Sequence, residues 1–500
     1  MRVLLVYPRY PESFWSFKYA LKFISKKAAY PPLGLLTVAA MLPPGWEKRL
    51  IDLNVKRLTD EDLIWADCVF ISAMAIQRSS VNEILARCKS LGVKTVAGGP
   101  LFTTEPEAFE EADHLVLNEA EATLPAFLED LEKGCARHIY TSSERPDLSR
   151  TPAPAWELID FRDYASMSIQ FSRGCPYDCE FCNITSLYGR RPRLKSREQL
   201  LRELDSLYGH GWRGSVFVVD DNFIGNKARL KKEVLPALIE WMERRRHPFS
   251  FITETSINLA DDEELMDLMR RAGFTHVFIG IETPSEESLR ECNKFHNMNR
   301  NLLASVKKIQ NHGFQVSAGF IVGFDSDTPS IFERQISFIQ KSGIVTAMVG
   351  LLNAPRGTRL FERLKREKRL LPNFSGNNTD FSLNFIPKMN PQMLLEGYRK
   401  IVTTIYSPGP YYERIWEFFK EFKPARRARI TQLRLCYLAA LFKAMFYLGI
   451  LDKGRRHYWK LLLKTLVRRP RFLPDAITFA IYGFHFRKIF NTQPAAQAGK

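Results

Sequence analysis

Along the first third of the chain, short apolar runs alternate with stretches of helix-forming residues. Val3–Tyr7, Arg49–Leu53, Cys68–Ala73, Lys94–Ala97 and His114–Leu117 have strand length, whereas Pro31–Leu42, Val81–Leu91 and Glu119–Leu131 read as helices. Strands separated by helices in this way predict a parallel, doubly wound Rossmann-like sheet, on which ligands sit at the carboxyl ends of the strands. Those ends are small or glycine-rich: Ser72-Ala73-Met74, Gly98-Gly99-Pro100 and Asn118-Glu119-Ala120. Small residues let a bulky planar ligand approach the backbone. No G-x-G-x-x-G follows the first strand, which disfavours a dinucleotide.

A second alternating pattern fills residues 161–360. Six strand candidates, Ser168–Ser172, Val216–Val219, Phe249–Thr253, His276–Ile281, Gln315–Val322 and Ala347–Leu352, are interleaved with helical stretches such as Arg197–Tyr208 and Ile331–Lys341. Six βα units predict an α/β fold of a partial (β/α)6 TIM-type barrel, with functional residues at the C-terminal strand ends. Those ends are polar: Asp220-Asp221-Asn222, Glu254-Thr255-Ser256 and Glu282-Thr283. Between the two patterns, Arg145–Trp156 carries Pro146, Pro152 and Pro154 without periodicity, which marks a linker. The expected organisation is a Rossmann-like domain at 1–135, a Pro-rich linker at 136–160, a partial barrel at 161–360 and a mostly helical region at 361–500.

Charge changes the picture only in that last region. The formal net charge is +17, and Lys423–Lys488 holds 16 Lys/Arg against Asp452 and Asp475, which accounts for +14 of it. The basic character therefore belongs to the C-terminal region and its partner. Leu435–Leu451 contains one charge, Lys443, and is too interrupted for the ~20 apolar residues of a membrane span. Cations flanking apolar and aromatic helix predict a segment lying on an anionic bilayer surface. A packing domain with a basic outer face is the plainer alternative. Nucleic acid is disfavoured, because the aromatics mix with Leu and Ala runs rather than lining a reading module. The basic run Arg190-Arg191-Pro192-Arg193-Leu194-Lys195 reads first as a solvated loop.

The chemistry rests on Cys175, Cys179 and Cys182 in Ser-Arg-Gly-Cys-Pro-Tyr-Asp-Cys-Glu-Phe-Cys-Asn. Thiolates at C-x3-C-x2-C spacing can hold one iron–sulfur cluster, and three ligands leave one iron free for a substrate-derived ligand. Zinc is the competing reading, but zinc sites usually add a fourth Cys or His nearby, and none follows before His210. Phe181 offers an apolar wall beside the last thiol. The other cysteines, Cys68, Cys88, Cys135, Cys292 and Cys436, read as packing residues. Eight cysteines in 500 residues and no secretory signal lead us to expect a reducing, cytoplasmic setting, with the basic tail suited to peripheral attachment on the inner face of a membrane.

The cysteine triple, with an aromatic residue before its third member, resembles the signature of the radical S-adenosylmethionine (SAM) enzymes. Pro31-Pro32-Leu33-Gly34, Ala97-Gly98-Gly99-Pro100, Val219–Asn226, Gly280-Ile281-Glu282-Thr283-Pro284 and Tyr406-Ser407-Pro408 extend that resemblance over about residues 1–410, to cobalamin-dependent members akin to the hopanoid C-2 methylase. The resemblance implies a [4Fe–4S] cluster on Cys175, Cys179 and Cys182. It implies SAM contacts from Phe181, Asp221, Glu254 and Glu282, and cobalamin near Ser72, Gly98, Gly99 and Glu119. The D-x-H-x-x-G motif of other cobalamin domains is absent, so no histidine of that motif would be the lower cobalt ligand. The implied reaction is methylation of an unactivated carbon through an adenosyl radical. The implied partners are a small, lipid- or isoprenoid-like substrate and a reductant such as flavodoxin or ferredoxin. Non-methylating radical rearrangement or oxidation, and a non-catalytic membrane-associated cobalamin binder, are the alternatives. An RNA methylthiotransferase is disfavoured, because such enzymes carry further N-terminal cluster cysteines and a C-terminal β-barrel.

Overall fold

A computed structural model describes residues 1–372, 374–377, 379–424 and 435–492. The first pattern forms a six-stranded, all-parallel sheet: β1 (Arg2–Tyr7), β2 (Glu47–Asp52), β3 (Cys68–Ser72), β4 (Lys94–Gly98), β5 (His114–Val116) and β6 (Ile139–Tyr140), in the order β2-β1-β3-β4-β5-β6. The central strands are apolar throughout because helices cover both faces of a parallel sheet. Val3, Leu4, Leu5 and Val6 are all buried. Strand β6 lies inside the stretch read as a linker. Its backbone pairs with β5, so the sheet extends one strand beyond the expected boundary.

A short antiparallel pair, β8 (Ser172–Arg173) with β9 (Arg193–Leu194), brackets the cysteine loop. The second sheet is also parallel: β7 (Met167–Ile169), β10 (Gly214–Val218), β11 (Phe249–Thr255), β12 (Phe274–Glu282), β13 (Gln315–Val322) and β14 (Ala347–Leu351), in the order β14-β13-β12-β11-β10-β7. It curves into the expected open barrel, leaving β7 and β14 as edges. The intervening helices, among them Arg197–Gly209 and Leu302–Asn311, are started by Ser196 and Asn301 side chains that accept from backbone N–H groups of the first turn. Gly273 and Gly313 take the left-handed backbone that ends a helix and turns the chain into β12 and β13.

The C-terminal helices share one core with the barrel. Helix Pro391–Tyr406 lies against helix Ile331–Ser342, and the Tyr406 hydroxyl donates to the Ala347 carbonyl of β14 at 2.7 Å. Arg414, wholly buried, donates to the Ile405 and Val345 carbonyls and to Gln340 Oε1. Helix Leu473–Thr492 closes back on the N-terminal segment, where the rings of Phe14 and Phe486 stack at 4.2 Å. Of the cysteines read as packing residues, Cys68, Cys88 and Cys292 are buried, but Cys135 is exposed in the turn after helix Ala120–Glu132, where a small residue meets no core. The Cys436 side chain, Arg426–Arg429 and most of the polar tail lie outside the described residues.

Glycines allow two of these helix contacts. A Cβ on Gly397 would stand 2.2 Å from the Phe332 ring, and one on Gly483 would stand 2.3 Å from Tyr411. Tyr411 has no room to withdraw, being fully buried with its hydroxyl donated to the Phe479 carbonyl at 2.7 Å. Gly483→Ala should therefore cost about 1–3 kcal/mol. Gly209→Ala, where nothing lies within 4 Å, should be neutral or stabilise by up to about 1 kcal/mol. Thermal melts of the two variants check the contrast.

Candidate active site

The cysteine loop leaves β8 through Gly174, whose φ of +94° and close carbonyl neighbours admit no side chain. A Cβ there would lie 2.8 Å from the Gly189 carbonyl oxygen. The Gly174 N–H donates to Asp221 Oδ2 at 3.1 Å and the Cys175 N–H to the Gly189 carbonyl at 3.3 Å. Farther along, the Glu180 N–H donates to the Cys292 carbonyl at 2.9 Å. Ion pairs from helix Arg359–Arg366 fasten the loop from outside: Arg359 to Asp178 at 3.0 Å and Arg363 to Glu180 at 2.8 Å. Tyr177 stacks on His296 at 3.6 Å and accepts from Asn258.

Among the described residues, no three Cys, His, Asp or Glu side chains converge on a single ion. Thiolates at this spacing suit a cubane cluster, in which each takes a different iron. Burial raises the thiol pKa at Cys175 and Cys179 and pushes that of Cys182 up to about 12. Thiols so placed ionise when metal coordination stabilises the thiolate, which fits a cluster site.

Cys182, Phe181, Asp221, Glu254, Glu282, Ser72, Gly98, Gly99 and Glu119 all line one cavity of about 1790 Å³, whereas Cys175 and Cys179 do not face it. A single small-molecule site typically measures about 300–1,000 Å³. This cavity therefore has room for more than one ligand between the carboxyl ends of the two sheets. On the N-terminal side the small residues also serve the fold. A Cβ on Gly98 would meet the Val116 carbonyl at 2.7 Å, and one on Gly99 (φ +91°) would meet Ser72 Oγ at 2.7 Å.

The carboxylates differ in how far protein partners already occupy them. Glu119, read as a cobalamin neighbour, accepts from Arg173 at 2.9 Å and from Arg193 at 2.7 Å. Its buried carboxylate ties the N-terminal domain to the β8–β9 pair that brackets the cysteine loop. Beside it, Arg173 also pairs with Glu121 at 2.8 Å. Against the opposing effect of burial, the Arg173 guanidinium holds Glu121 down to about 2. Arg193 and Lys195 thus correct the reading of 190–195 as a solvated loop: Arg193 is held by Glu119, and Lys195 is buried against Glu203. Arg190, in a loose pair with Asp178, and Arg191 remain exposed.

Glu282 sits at φ +64° beyond a bulge in β12, with its carboxylate 2.6 Å from Lys294 Nζ. Gly280 leaves room for this pair, since a Cβ there would fall 2.3 Å from Glu282 Oε1 and 2.6 Å from Lys294 Nζ. Asp220 supports the turn into the cysteine loop, accepting from the Phe171 N–H at 2.8 Å and from Ser172 Oγ at 2.6 Å. Glu254 faces the cavity with no hydrogen-bond or ion-pair partner among the described residues, and burial first, then the Asp221 charge, raises it to about 8. Sequence reasoning did not find Lys294 or Arg173 as partners. It also did not find Asp475, Phe479 and Tyr482 of the last helix, which line the same cavity. Arg173 lies within the cysteine motif, but its carboxylate partners are more than 50 residues away, and Lys294 and the last helix carry no motif.

A cysteine triple on a partial barrel beneath a Rossmann-like sheet is the architecture of a radical SAM enzyme with a B12-binding domain. The Radical SAM superfamily matches residues 169–339, the B12 binding domain matches 24–128, and a Domain of unknown function (DUF4070) matches 358–497. An uncharacterized methyltransferase of Synechocystis sp. is 42% identical over 490 residues, covering 97% of this chain and 91% of the relative. The hopanoid C-2 methylase of Rhodopseudomonas palustris is 35% identical over 478 residues, covering 93% and 90%. The radical SAM methyltransferase TsrM from Kitasatospora setae, solved with cobalamin and a [4Fe–4S] cluster, shares the fold at TM-score 0.62 and 15% identity, covering 93% of this chain and 98% of that one. The chain belongs to the cobalamin-dependent radical SAM methyltransferase family. The radical SAM domain implies a [4Fe–4S] cluster and SAM, and the B12-binding domain implies cobalamin.

Two measurements test this arrangement. Arg173→Met would leave buried Glu121 without its cation and Glu119 with Arg193 in place of two arginines, and should cost about 3–5 kcal/mol in urea denaturation, whereas exposed Arg190→Ala should change stability by no more than about 0.5 kcal/mol. The second test is pH dependence in ligand-free protein. Between its ordinary value of 4.5 and about 8, folded Glu254 keeps a proton that the unfolded chain has released, so it lowers stability progressively as pH rises through that window. Glu254→Gln should melt with wild type near pH 4.5 and increasingly above it towards pH 8. Asp220 and Asp221, raised by burial to about 7 and about 6, leave a residual slope of the same sign.

Proposed function

We propose that this enzyme methylates an unactivated carbon of a lipid- or isoprenoid-like molecule. The observation that carries this reading is the single cavity shared by the small strand ends of the B12-binding sheet and the acidic strand ends of the barrel, with Trp15, Phe217, Phe278 and Met348 along its wall. Such a wall suits an apolar body and excludes water. When bound, the cluster with SAM supplies hydrogen abstraction and cobalamin supplies the methyl group. Cys175, Cys179 and Cys182 would hold the cluster, with Phe181 as an apolar wall beside it. Unpartnered Glu254 and nearby Asp221 would accept from the ammonium and hydroxyl groups of SAM, and a cation there would draw Glu254 into its ionised form. Glu282, held by Lys294, would take part through a fixed carboxylate orientation. Ser72, Gly98 and Gly99 would leave the backbone open to the corrin, and Glu119 would hold that edge over the barrel.

The chemistry consumes electrons, which a flavodoxin or ferredoxin would deliver. The preferred setting is the cytoplasm, at the inner membrane surface. No described helix is long and apolar enough to cross a membrane, so any attachment through these helices would be peripheral.

The test is anaerobic incubation of reconstituted enzyme, reductant and a lipid extract with methyl-deuterated SAM, read by mass spectrometry. One labelled methyl per product is expected. Label-free products of altered mass would instead support rearrangement or oxidation. Cys182→Ala should abolish both iron–sulfur absorption and methyl transfer while leaving cobalamin absorption in place.

A further inference from the structure

Helix Leu435–Phe446, continued by Tyr447–Leu451, packs the wrong way round for a soluble protein. Ala440, Ala444 and Leu448 face the core. Leu438, Phe442, Phe446 and Ile450, repeating every four residues, face outward with Tyr447 and Leu451 beside them, and Phe442 is 68% and Ile450 58% exposed. At 1.5 Å per residue this apolar stripe runs about 18 Å. Its one cation, Lys443, is turned onto the protein and donates to the Lys22 carbonyl and Ser25 Oγ. A surface helix ordinarily buries its large apolar side chains and exposes polar ones, and a contiguous apolar patch of this kind marks a contact surface.

The surroundings say what the contact is. Between residues 435 and 472 there are nine Lys/Arg and one acid, Asp452, which Arg487 engages at 3.2 Å. Lys453, Arg455 and Arg456 stand exposed at the end of the stripe, with no carboxylate partner among the described residues. The next helix, Arg455–Arg468, meets the stripe's C-terminal end where Trp459 Nε1 donates to the Gly449 carbonyl. It exposes Leu463, Leu466 and Val467, the last at 80%, followed by exposed Arg468 and Arg469. A second copy of the chain would bring these like charges together, whereas an anionic bilayer complements both the apolar stripe and its cations.

We infer that Leu438–Leu451 is an interfacial element that sinks Phe442, Phe446 and Ile450 into an anionic phospholipid bilayer while the cations of 453–456 hold its headgroups. This rests on the peripheral setting proposed above and deepens it from adsorption by charge to insertion of apolar side chains.

Flotation of full-length holoenzyme tests it, using vesicles of phosphatidylcholine alone and of phosphatidylcholine with phosphatidylglycerol in equal parts. Wild type should float with the mixed vesicles, and part of that binding should survive high salt, which screens charge but not apolar burial. The triple variant Phe442→Ser, Phe446→Ser, Ile450→Ser should lose about tenfold or more in partitioning, including the whole salt-resistant part. Arg455→Gln with Arg456→Gln should lose only the salt-sensitive part. Unchanged melting temperature and cobalamin absorption would show that the variants are folded. The inference is overturned if wild type ignores the vesicles, if the triple variant floats like wild type, or if light scattering shows a dimer that the triple variant dissociates with vesicle binding unchanged. Methyl transfer to detergent-dispersed substrate is read separately, so lost flotation with retained transfer leaves the methylase reading intact.

Discussion

The pairing of Arg173 and Arg193 with Glu119 and Glu121 is the contact on which the rest of the site depends. All four side chains are largely shielded from water, so each would be costly alone, and together their bidentate geometry offsets the desolvation. The carboxylates come from the start of helix Ala120–Glu132, which follows β5 of the N-terminal sheet. The arginines come from β8 and β9, the two strands that bracket the cysteine loop. Arg173 is two residues before Cys175, so one stretch of backbone both docks the B12-binding sheet and begins the thiolate set. The N-terminal sheet is therefore docked on the strand pair that carries the cysteine loop, and positioning is the main thing a protein contributes when cofactors supply the reactive groups.

Protein partners also sort the acids in and around the cavity. Glu119 and Glu282 have cationic partners within hydrogen-bonding distance, and Asp220 is satisfied by the backbone and Ser172, so these three carboxylates are oriented before any ligand arrives. Glu254 is different. It is enclosed, faces the cavity and has no cation of its own, and its raised pKa measures the cost of leaving a charge there. A cationic ligand group is the natural relief for that cost.

Much of this could be read from residue order alone, for reasons specific to the elements concerned. Strands β1 and β3 are buried on both faces, so their central residues are apolar in unbroken runs. The cysteine loop could be read because its spacing is local, and Glu254 because it ends a strand. The pairing of β6, just before the proline-rich stretch, was hidden because two residues carry no periodicity. Lys294 was hidden because what defines it is Glu282 across a bulge. Arg193 looked like one member of a solvated run because charge density does not reveal which cation has a buried carboxylate opposite it.

The C-terminal region shows most clearly why its part in the site could not be read locally. A six-stranded barrel does not close, and the gap between β7 and β14 would leave the bore open to water along its side. The N-terminal segment and helix Leu473–Thr492 contribute side chains to the cavity wall. Trp15 packs edge-on against Phe278 at 5.5 Å and Tyr30 against Phe217 at 5.3 Å, with Phe479 and Tyr482 lining the same cavity. These rings meet from opposite ends of the chain, joined by the Phe14–Phe486 stack and by His485 Nε2 against the Phe14 carbonyl at 3.0 Å. The first inward positions of the barrel strands are polar, with Ser215, Ser250, His276 and Gln315 at the end farthest from the acids. From Ser250 to Glu254 the strand rises about 13 Å. Between those polar ends the chamber is aromatic and aliphatic, so its shape and polarity are set by segments that a barrel alone would not supply.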